Sequence, residues 1–194
     1  MINIDKYRMQ EIDFIGNEWE FVHSLVYLKY GNKINILEIG EGNYSLLFGI
    51  CAELYDLIKK MLSIDVKNKY DKGEKEFYEK KRIFSALSNR GYDYVQHFQG
   101  DAMADDILKD ARILFQDTPV DLFIVEYMND DEYMDSIFDI YDQYFSEHVD
   151  IYFHNLNKSE DSIRYFNEIS ENKKRVILDG GNGIGIIKKL MVCI

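Results

Sequence analysis

The sequence predicts an α/β protein built on a doubly wound, mostly parallel, seven-stranded sheet with helices on both faces and a C-terminal antiparallel hairpin. Short apolar runs alternate with helical patterns along the chain, and right-handed crossovers turn that alternation into a parallel sheet. The last two apolar runs, 174–178 and 184–190, are separated only by residues 179–183. Because no helix fits in that gap, we expect the two runs to pair as an antiparallel hairpin at the sheet edge.

Each helix or strand is predicted from the spacing of its apolar residues and from the residues at which it ends. Gly31, Gly91 and Pro119 follow three of the helical patterns, and each of them stops a helix. The predicted strands are residues 34–39, 61–65, 92–98, 120–126, 149–154, 174–178 and 184–190. The predicted helices are residues 17–28, 44–60, 74–90, 104–116, 131–146 and 159–171.

Length and charge restrict the class of protein. A chain of 194 residues can bury a substantial core, so we predict one domain over 1–194, with residues 1–31 as an N-terminal helical lid or cap. The net charge of -12 makes nucleic acid an unlikely partner, since nonspecific affinity for phosphates comes from lysine and arginine. No run of 18 apolar residues occurs, and Cys51 and Cys193 lie far apart. We therefore expect a cytoplasmic protein without a membrane segment, and leave monomer and homodimer open.

Charged and small residues stand where the predicted strands end. In chain order these residues are Glu38, Gly40, Gly42, Asp65, Asp101, Ala102, Glu126 and His154. The carboxyl ends of parallel strands meet at one edge of a sheet, and ligands bind outside that edge. The two glycines let the backbone approach a ligand closely. Carboxylates suit a cationic ligand or a vicinal diol, so the sequence predicts a binding rim of that chemistry.

These residues, taken as an ordered set, resemble the motifs of a known superfamily. Glu38-x-Gly40-x-Gly42, Asp65, Gly100-Asp101-Ala102 and Glu126 are similar to the cofactor motifs of the Rossmann-like class I S-adenosylmethionine-dependent methyltransferases. The closing hairpin is also typical of that superfamily. More narrowly, residues 181–189 and the pairing of 120–126 with 151–154 resemble the small methyltransferases related to catechol O-methyltransferase and the cephalosporin-hydroxylase-like group. The resemblance runs from about residue 33 to 190.

The resemblance implies S-adenosylmethionine as the cofactor. By that resemblance, Gly40 and Gly42 would admit the methionine part, and Glu38 would hold its amino group directly or through water. Asp65 would accept hydrogen bonds from the ribose hydroxyls. The other members of the implied cofactor set are Asp101 and Ala102, which would flank the adenine, and Glu126.

The sequence departs from the family pattern in three places. Tyr44 stands near the position of a third glycine. In metal-dependent relatives, an aspartate after the fourth strand and an Asp-Asn pair after the fifth hold magnesium; here Glu126 and His154-Asn155 stand there, so we predict no metal site. His154 is the candidate catalytic base, with capping of the strand end as the alternative. His97 has no partner at an informative spacing.

The leading hypothesis is methyl transfer to a small molecule or a protein side chain. Displacement at a sulfonium methyl requires mainly alignment of the nucleophile, so no conspicuous catalytic motif is needed. The alternative is a catalytically inactive methyltransferase-like protein with a binding or inhibitory role. A nucleotide-binding oxidoreductase is the third hypothesis, which Ser45 in place of the last glycine of GxGxxG disfavours.

Overall fold

The computed structural model describes residues 33–40, 58–66, 95–178 and 183–188. The strands are β1 (Ile34–Gly40), β2 (Ile58–Asp65), β3 (Val95–Gln99), β4 (Val120–Glu126), β5 (Phe145–His154), β6 (Lys174–Leu178) and β7 (Ile184–Lys188). The helices of the described part are α1 (Asp105–Phe115), α2 (Asp131–Tyr141) and α3 (Glu160–Ile169), with short 3-10 turns at Asp142–Tyr144 and Leu156–Lys158. The predictions for Gly42, Tyr44, helices 17–28 and 74–90, and the lid of residues 1–31 lie outside the described residues.

The strands form one seven-stranded sheet in the order β3-β2-β1-β4-β5-β7-β6. Strands β1 to β5 pair in parallel, whereas β7 runs antiparallel to both β5 and β6. The prediction of a mostly parallel sheet with a C-terminal hairpin is confirmed. The predicted antiparallel edge is also present: β7 inserts between β5 and β6, so that β6 is the edge strand.

The three described helices pack on one face of the sheet, which we call the helical face. Phe123 of β4 and Phe153 of β5 lie at its centre, and both are fully buried. The ring of Phe138 from α2 stacks on Phe153 at a centroid distance of 6.2 Å, and Phe166 from α3 meets it edge-on at 5.6 Å. Such aromatic pairs add about 0.5 to 1.5 kcal/mol beyond the apolar area that they bury. The core of the described part is therefore aromatic where β4 and β5 meet α2 and α3.

The opposite face, which we call the second face, is also buried. Ile36, Met61, Leu122 and Ile124 point to it by strand alternation, and each is at most 2% exposed. Burial on both faces is the pattern of parallel strands covered on two sides, although helices on the second face remain a prediction. None of the helices in the described ranges is long and apolar enough to cross a bilayer.

Strand β2 begins earlier than predicted. The apolar spacing favoured a helix over 44–60, but Ile58 already pairs with Ile34 of β1. Lys60 is accommodated in the strand because its Nζ donates a 2.6 Å hydrogen bond to the carbonyl of Leu114, in the last turn of α1. A cation at the C-terminal end of a helix is favourable. This contact comes from a distant helix, so a local pattern could not show it.

Helix α2 ends earlier than the predicted residue 146, and β5 begins earlier than the predicted residue 149. A 3-10 turn at Asp142–Tyr144 follows the helix, and Phe145 then pairs with Val120 of β4. The ring of Phe145 packs against Phe123 at a centroid distance of 4.9 Å. An irregularity in register between Val120 and Leu122 accommodates the longer strand. Tertiary packing of one aromatic ring thus outweighs the local helical pattern.

We expect Gly185→Ala to destabilise the fold by about 1 to 3 kcal/mol, the usual range for overpacking a core. A Cβ at Gly185 of β7 would overlap Cε2 of Phe166, so the ring and α3 would have to move. Chemical denaturation measures the change in the free energy of unfolding. Ile113→Ala on α1 is the control, since Ile113 is 65% exposed. Equal stability of Gly185→Ala and the wild type would contradict the packing described here.

Candidate functional site

Three of the predicted acidic residues lie on the second face, at the carboxyl ends of adjacent strands. Strand register places Glu38, Asp65 and Glu126 on this face, away from α1 to α3. Their exposed fractions are 2%, 2% and 3%. Because a buried carboxylate is costly unless it is hydrogen-bonded or paired, the partners of these three groups decide what the site can bind.

Glu38 belongs to a row of hydrogen bonds that crosses three strands. Ser63 Oγ donates to Glu38 Oε2 at 3.0 Å, and His97 Nδ1 lies 3.1 Å from the same Ser63 oxygen. The three residues are register partners on β1, β2 and β3. No partner of His97 was found at an informative spacing in the sequence, and the structure shows that Ser63 is its partner. The row holds the Glu38 carboxylate in place two residues before Gly40, the last residue of β1.

Glu126 is held at one oxygen and is available at the other. Its Oε1 accepts hydrogen bonds from Asn155 Nδ2 at 2.9 Å and from Lys158 Nζ at 2.7 Å. Its Oε2 is buried and has no hydrogen-bond partner among the described residues. A Cβ placed on Gly40 would lie 3.1 Å from the Glu126 Cβ and 3.7 Å from this oxygen. The absence of a side chain at Gly40 thus leaves space beside an unsatisfied carboxylate oxygen.

Burial alone would raise the pKa of Glu126, but its cationic surroundings reverse the direction. Hydrogen bonds from Lys158 and Asn155, together with the charges of Lys158 and His154, lower the pKa below its ordinary value of 4.5. The carboxylate is therefore ionised at neutral pH. It presents a negative charge to the cavity described below.

Because the folded-state pKa of Glu126 is depressed, its charge adds stability above the unfolded-state pKa, and this contribution is lost as the pH falls through the folded-state value. We expect Glu126→Gln to remove that part of the acid sensitivity, and Lys158→Met to weaken it by removing the main cation. Thermal unfolding from neutral pH to about pH 3 measures the effect. Wild type and Glu126→Gln should converge in relative stability at acid pH. A difference in stability between the two proteins that stays constant across the whole pH range would contradict the lowered pKa of Glu126.

The backbone continues the sheet past the ends of β1 and β2. Val66 N donates to the Gly40 carbonyl and Gly100 N donates to the Asp65 carbonyl, both at 3.0 Å. These bonds keep Asp65 directly beside Gly40, its register partner. The Asp65 carboxylate and the Gly40 backbone thus lie at one point of the rim.

Asp101 and Ala102, after β3, are tied to α2. Asp101 is exposed, and its Oδ1 accepts hydrogen bonds from the Tyr133 hydroxyl and the Met103 N–H, each at 3.0 Å. Burial, followed by the hydrogen bond to Asp101, raises the pKa of Tyr133 to about 12. The Tyr141 hydroxyl donates to the Ala102 carbonyl at 2.7 Å. Ala102 itself is fully buried in the helical-face core, so Asp101 is the exposed member of the pair.

A cavity of about 360 Å³ opens at the rim between the ends of β2 and β4. This size is within the range of small-molecule sites. The cavity is bounded by Val66, Glu126, Tyr127, Met128, Asn129, Asp130, Tyr133 and Lys158. Asn129 has a left-handed backbone with φ of 59°, which turns the chain sharply after β4. Lys158 is the one cation on this lining.

His154 and Lys158 also lie at this rim. His154 is half-buried and is the register partner of Glu126, so the candidate base lies on the strand next to that of Glu126. Lys158 Nζ forms an ion pair with Glu126 Oε1 at 2.7 Å. Lys158 was not identified from the sequence, since it lies in a turn beyond the strand end. No cluster of metal-binding side chains occurs within the described ranges.

Comparison with solved structures gives extended matches of the fold. A methyltransferase from Geobacter sulfurreducens matches with a TM-score of 0.59 at 14% identity, over 90% of this chain and 79% of that one. The O-methyltransferase TomG from Streptomyces achromogenes, solved in complex with SAM, matches with a TM-score of 0.58 at 15% identity. The match covers 96% of this chain and 86% of TomG. The TDP-rhamnose 3'-O-methyltransferase CalS11 of calicheamicin biosynthesis matches with a TM-score of 0.60 at 13% identity. The match covers 89% of this chain and 77% of CalS11. No protein-family model and no curated protein matches the sequence.

The sheet order and these matches define the class of protein. The chain has the fold of the class I S-adenosylmethionine-dependent methyltransferase superfamily, to which catechol O-methyltransferase belongs. At identities of this order the likeness shows the fold. Function therefore has to be argued from the side chains at the rim.

Proposed function

We propose that this protein is an S-adenosylmethionine-dependent methyltransferase that acts on a small molecule. The observation that carries the proposal is the Glu126 carboxylate, ionised and buried, with Oε2 unpartnered among the described residues at the wall of the cavity. A buried anion of this kind favours a cationic ligand. The cofactor carries a sulfonium and an ammonium group, and the space above Gly40 would admit it beside Glu126.

The other rim residues fit the remaining parts of the same ligand. Asp65 is placed to accept hydrogen bonds from the two ribose hydroxyls, because a carboxylate offers two oxygens to a diol. Val66, the next residue, lines the cavity and supplies an apolar surface for the adenine. Glu38 would hold the amino group, directly or through water. We propose Asp101 for the outer edge of the adenine.

Little catalytic chemistry is then required of the protein. When bound, the cofactor supplies an electrophilic methyl group. The residues of the chain have to align the acceptor oxygen and accept its proton. We assign proton acceptance to His154, which lies beside Glu126 in register. Lys158, whose side chain is 48% exposed, would stabilise the acceptor oxyanion that forms when His154 takes the proton.

The proposal also covers the methyl acceptor, the domain organisation and the cellular location. TomG takes part in tomaymycin synthesis and CalS11 methylates a TDP-sugar, so both matched enzymes support a small-molecule acceptor here. We further propose a single domain over 1–194 with residues 1–31 as its cap. Two widely separated cysteines suit the reducing cytoplasm.

Isothermal titration calorimetry tests the proposal with defined ligands. We expect S-adenosylmethionine and its demethylated product to bind at micromolar concentration, with one site per chain, and NAD to give no heat. If neither S-adenosylmethionine nor its demethylated product gives heat at millimolar concentration, the proposal is wrong. Binding of NAD instead would favour the oxidoreductase hypothesis.

Turnover requires a second measurement, because cofactor binding is shared by the alternative of an inactive binding protein. A panel of hydroxylated small molecules, assayed for the demethylated product, should reveal an acceptor. Activity that persists in His154→Ala with an unchanged pH profile would remove His154 from the mechanism.

A further inference from the structure

A groove of about 710 Å³ opens between α2 and α3 on the helical face. It lies at the opposite end of the sheet from the candidate site, since it is lined by Phe145, where β5 begins, and not by His154, where β5 ends. Its floor is apolar and is formed by Phe138, Phe145, Ile151 and Ile169. Three of these side chains, those of Phe138, Phe145 and Ile169, are only partly buried.

The walls of this groove are acidic. The acidic residues are Asp135, Asp139, Asp142, Glu168 and Glu171, all exposed, and Lys173 is the one cation on the lining. Glu168 is partly neutralised by Arg164 at 3.2 Å. Asp139 and Glu171 have no ion pair or side-chain hydrogen bond among the described residues. An apolar floor between unpaired carboxylates is complementary to a segment that carries both apolar and cationic side chains.

Strand β6 is a segment of that chemistry. It is the edge strand of the sheet, and its sequence is Lys174-Arg175-Val176-Ile177-Leu178. Val176 and Ile177 are 49% and 42% exposed. Among the described residues, the Arg175 guanidinium donates to neutral groups, Asn167 Oδ1 at 2.7 Å and Ser170 Oγ at 3.1 Å. Because Arg175 pairs with Ile187, which lines the groove, strand alternation places Arg175 and Ile177 on the helical face and Lys174 and Val176 on the second face. The helical face of this edge strand thus presents one positive charge and one exposed branched side chain, and natural proteins usually cover or charge such an edge.

We propose that the groove of one copy receives strand β6 of a second copy of this chain. Arg175 then lies against Asp139 and Glu171 of the other copy, and Ile177 covers the apolar floor. Charge complementarity and exposed apolar surface exist on both sides of this contact. The inference does not depend on the proposed enzymatic function.

The positions of groove and strand favour a closed dimer. Lys173 lines the groove and Lys174 begins β6, so the two surfaces adjoin within one patch. A two-fold axis close to these residues brings each groove onto the strand of the other copy. Such an isologous contact closes at two copies, whereas a groove and strand on distant surfaces would form open chains.

Sedimentation velocity on the full chain tests the proposal by charge exchange. We expect the wild type to sediment at twice its 23.0 kDa mass, and to dissociate as salt is raised. Asp139→Lys and Arg175→Glu, each alone, should weaken association by about tenfold or more, equivalent to about 1.4 kcal/mol. The double variant should recover most of the loss, because the reversed charges again attract. Asp117→Lys, an exposed acid outside the groove, is the matched control and should not change the mass.

Three results would overturn the inference. The first is a monomer at every concentration of the wild type. The second is a dimer that neither single reversal weakens. The third is weakening by both single changes without recovery in the double variant. Circular dichroism confirms that each variant is folded, and Ile177→Ser provides a second, uncharged variant that should also weaken association.

Discussion

Replacement of Asp65 by asparagine is expected to lower affinity for S-adenosylmethionine by roughly 100-fold. The carboxylate lies at the end of β2 beside Gly40, where we place the ribose. Hydrogen bonds to a charged group contribute about 1.5 to 3 kcal/mol each, and a diol engages two oxygens. The amide keeps the shape of the side chain but offers one neutral acceptor. Calorimetry with the cofactor and its demethylated product measures the change.

Asp150→Asn is the matched control for this experiment. Asp150 is a carboxylate with 3% exposure on the same face of the sheet, in β5, but it lies four residues before the rim residue His154. Its replacement changes the same charge without touching the proposed site. Equal loss of affinity in the two variants would indicate a general effect of buried charge, and an Asp65→Asn protein that binds normally would contradict the ribose assignment.

Truncation of Phe153 to alanine should remove about 3 to 5 kcal/mol from the free energy of unfolding. The ring is fully buried and contacts Phe138, Phe166 and Tyr165 at centroid distances of 6.2, 5.6 and 6.1 Å. Since the free energy of unfolding of natural domains is about 5 to 15 kcal/mol, this single change should remove a large fraction of it. Urea denaturation followed by circular dichroism gives the value.

An exposed isoleucine of the same chain provides the control for the loss of stability in Phe153→Ala. Ile113 on α1 is 65% exposed, and Ile113→Ala should change the free energy of unfolding by no more than about 0.5 kcal/mol, as is usual for surface positions. A loss below about 1 kcal/mol for Phe153→Ala would show that the cavity left by the ring collapses, and that the aromatic cluster is not the core of this half of the sheet.

The rim could be predicted from the sequence because it follows from topology. Asp65 and Glu126 end their strands and Glu38 lies two residues before the end of β1, and these three strands run in the same direction. Parallel strands bring such residues to one edge whatever the details of packing. Each strand was also recognisable by its apolar run. The location of these acids therefore required no knowledge of side-chain contacts.

The boundaries of elements could not be predicted so well. Residues 58–60 follow a helical pattern, yet pairing of Ile58 with Ile34 and the bond from Lys60 to α1 place them in β2. Likewise Phe145 was expected in a helix and lies in β5. In both places the deciding partner is more than 20 residues away in the sequence, beyond the reach of local periodicity.

The partners of the rim acids were missed for a related reason. Ser63 and His97 could have been found by counting back two residues from the strand ends Asp65 and Gln99, as Glu38 is two before Gly40. That count requires the exact end of β3, which was expected one residue earlier. Lys158 offered no such indication, because a flexible side chain from a turn can reach many positions.

The placement of β7 between β5 and β6 has a consequence for synthesis of the protein. Until Ile184–Lys188 leaves the ribosome, the backbone groups of β5 on that side have no strand to bond with. The nascent chain therefore exposes a pairing-competent strand from the time that β5 is made until β7 follows it, and in this interval β5 can pair wrongly with other chains. Although β6 is made before β7, it joins the sheet only through β7.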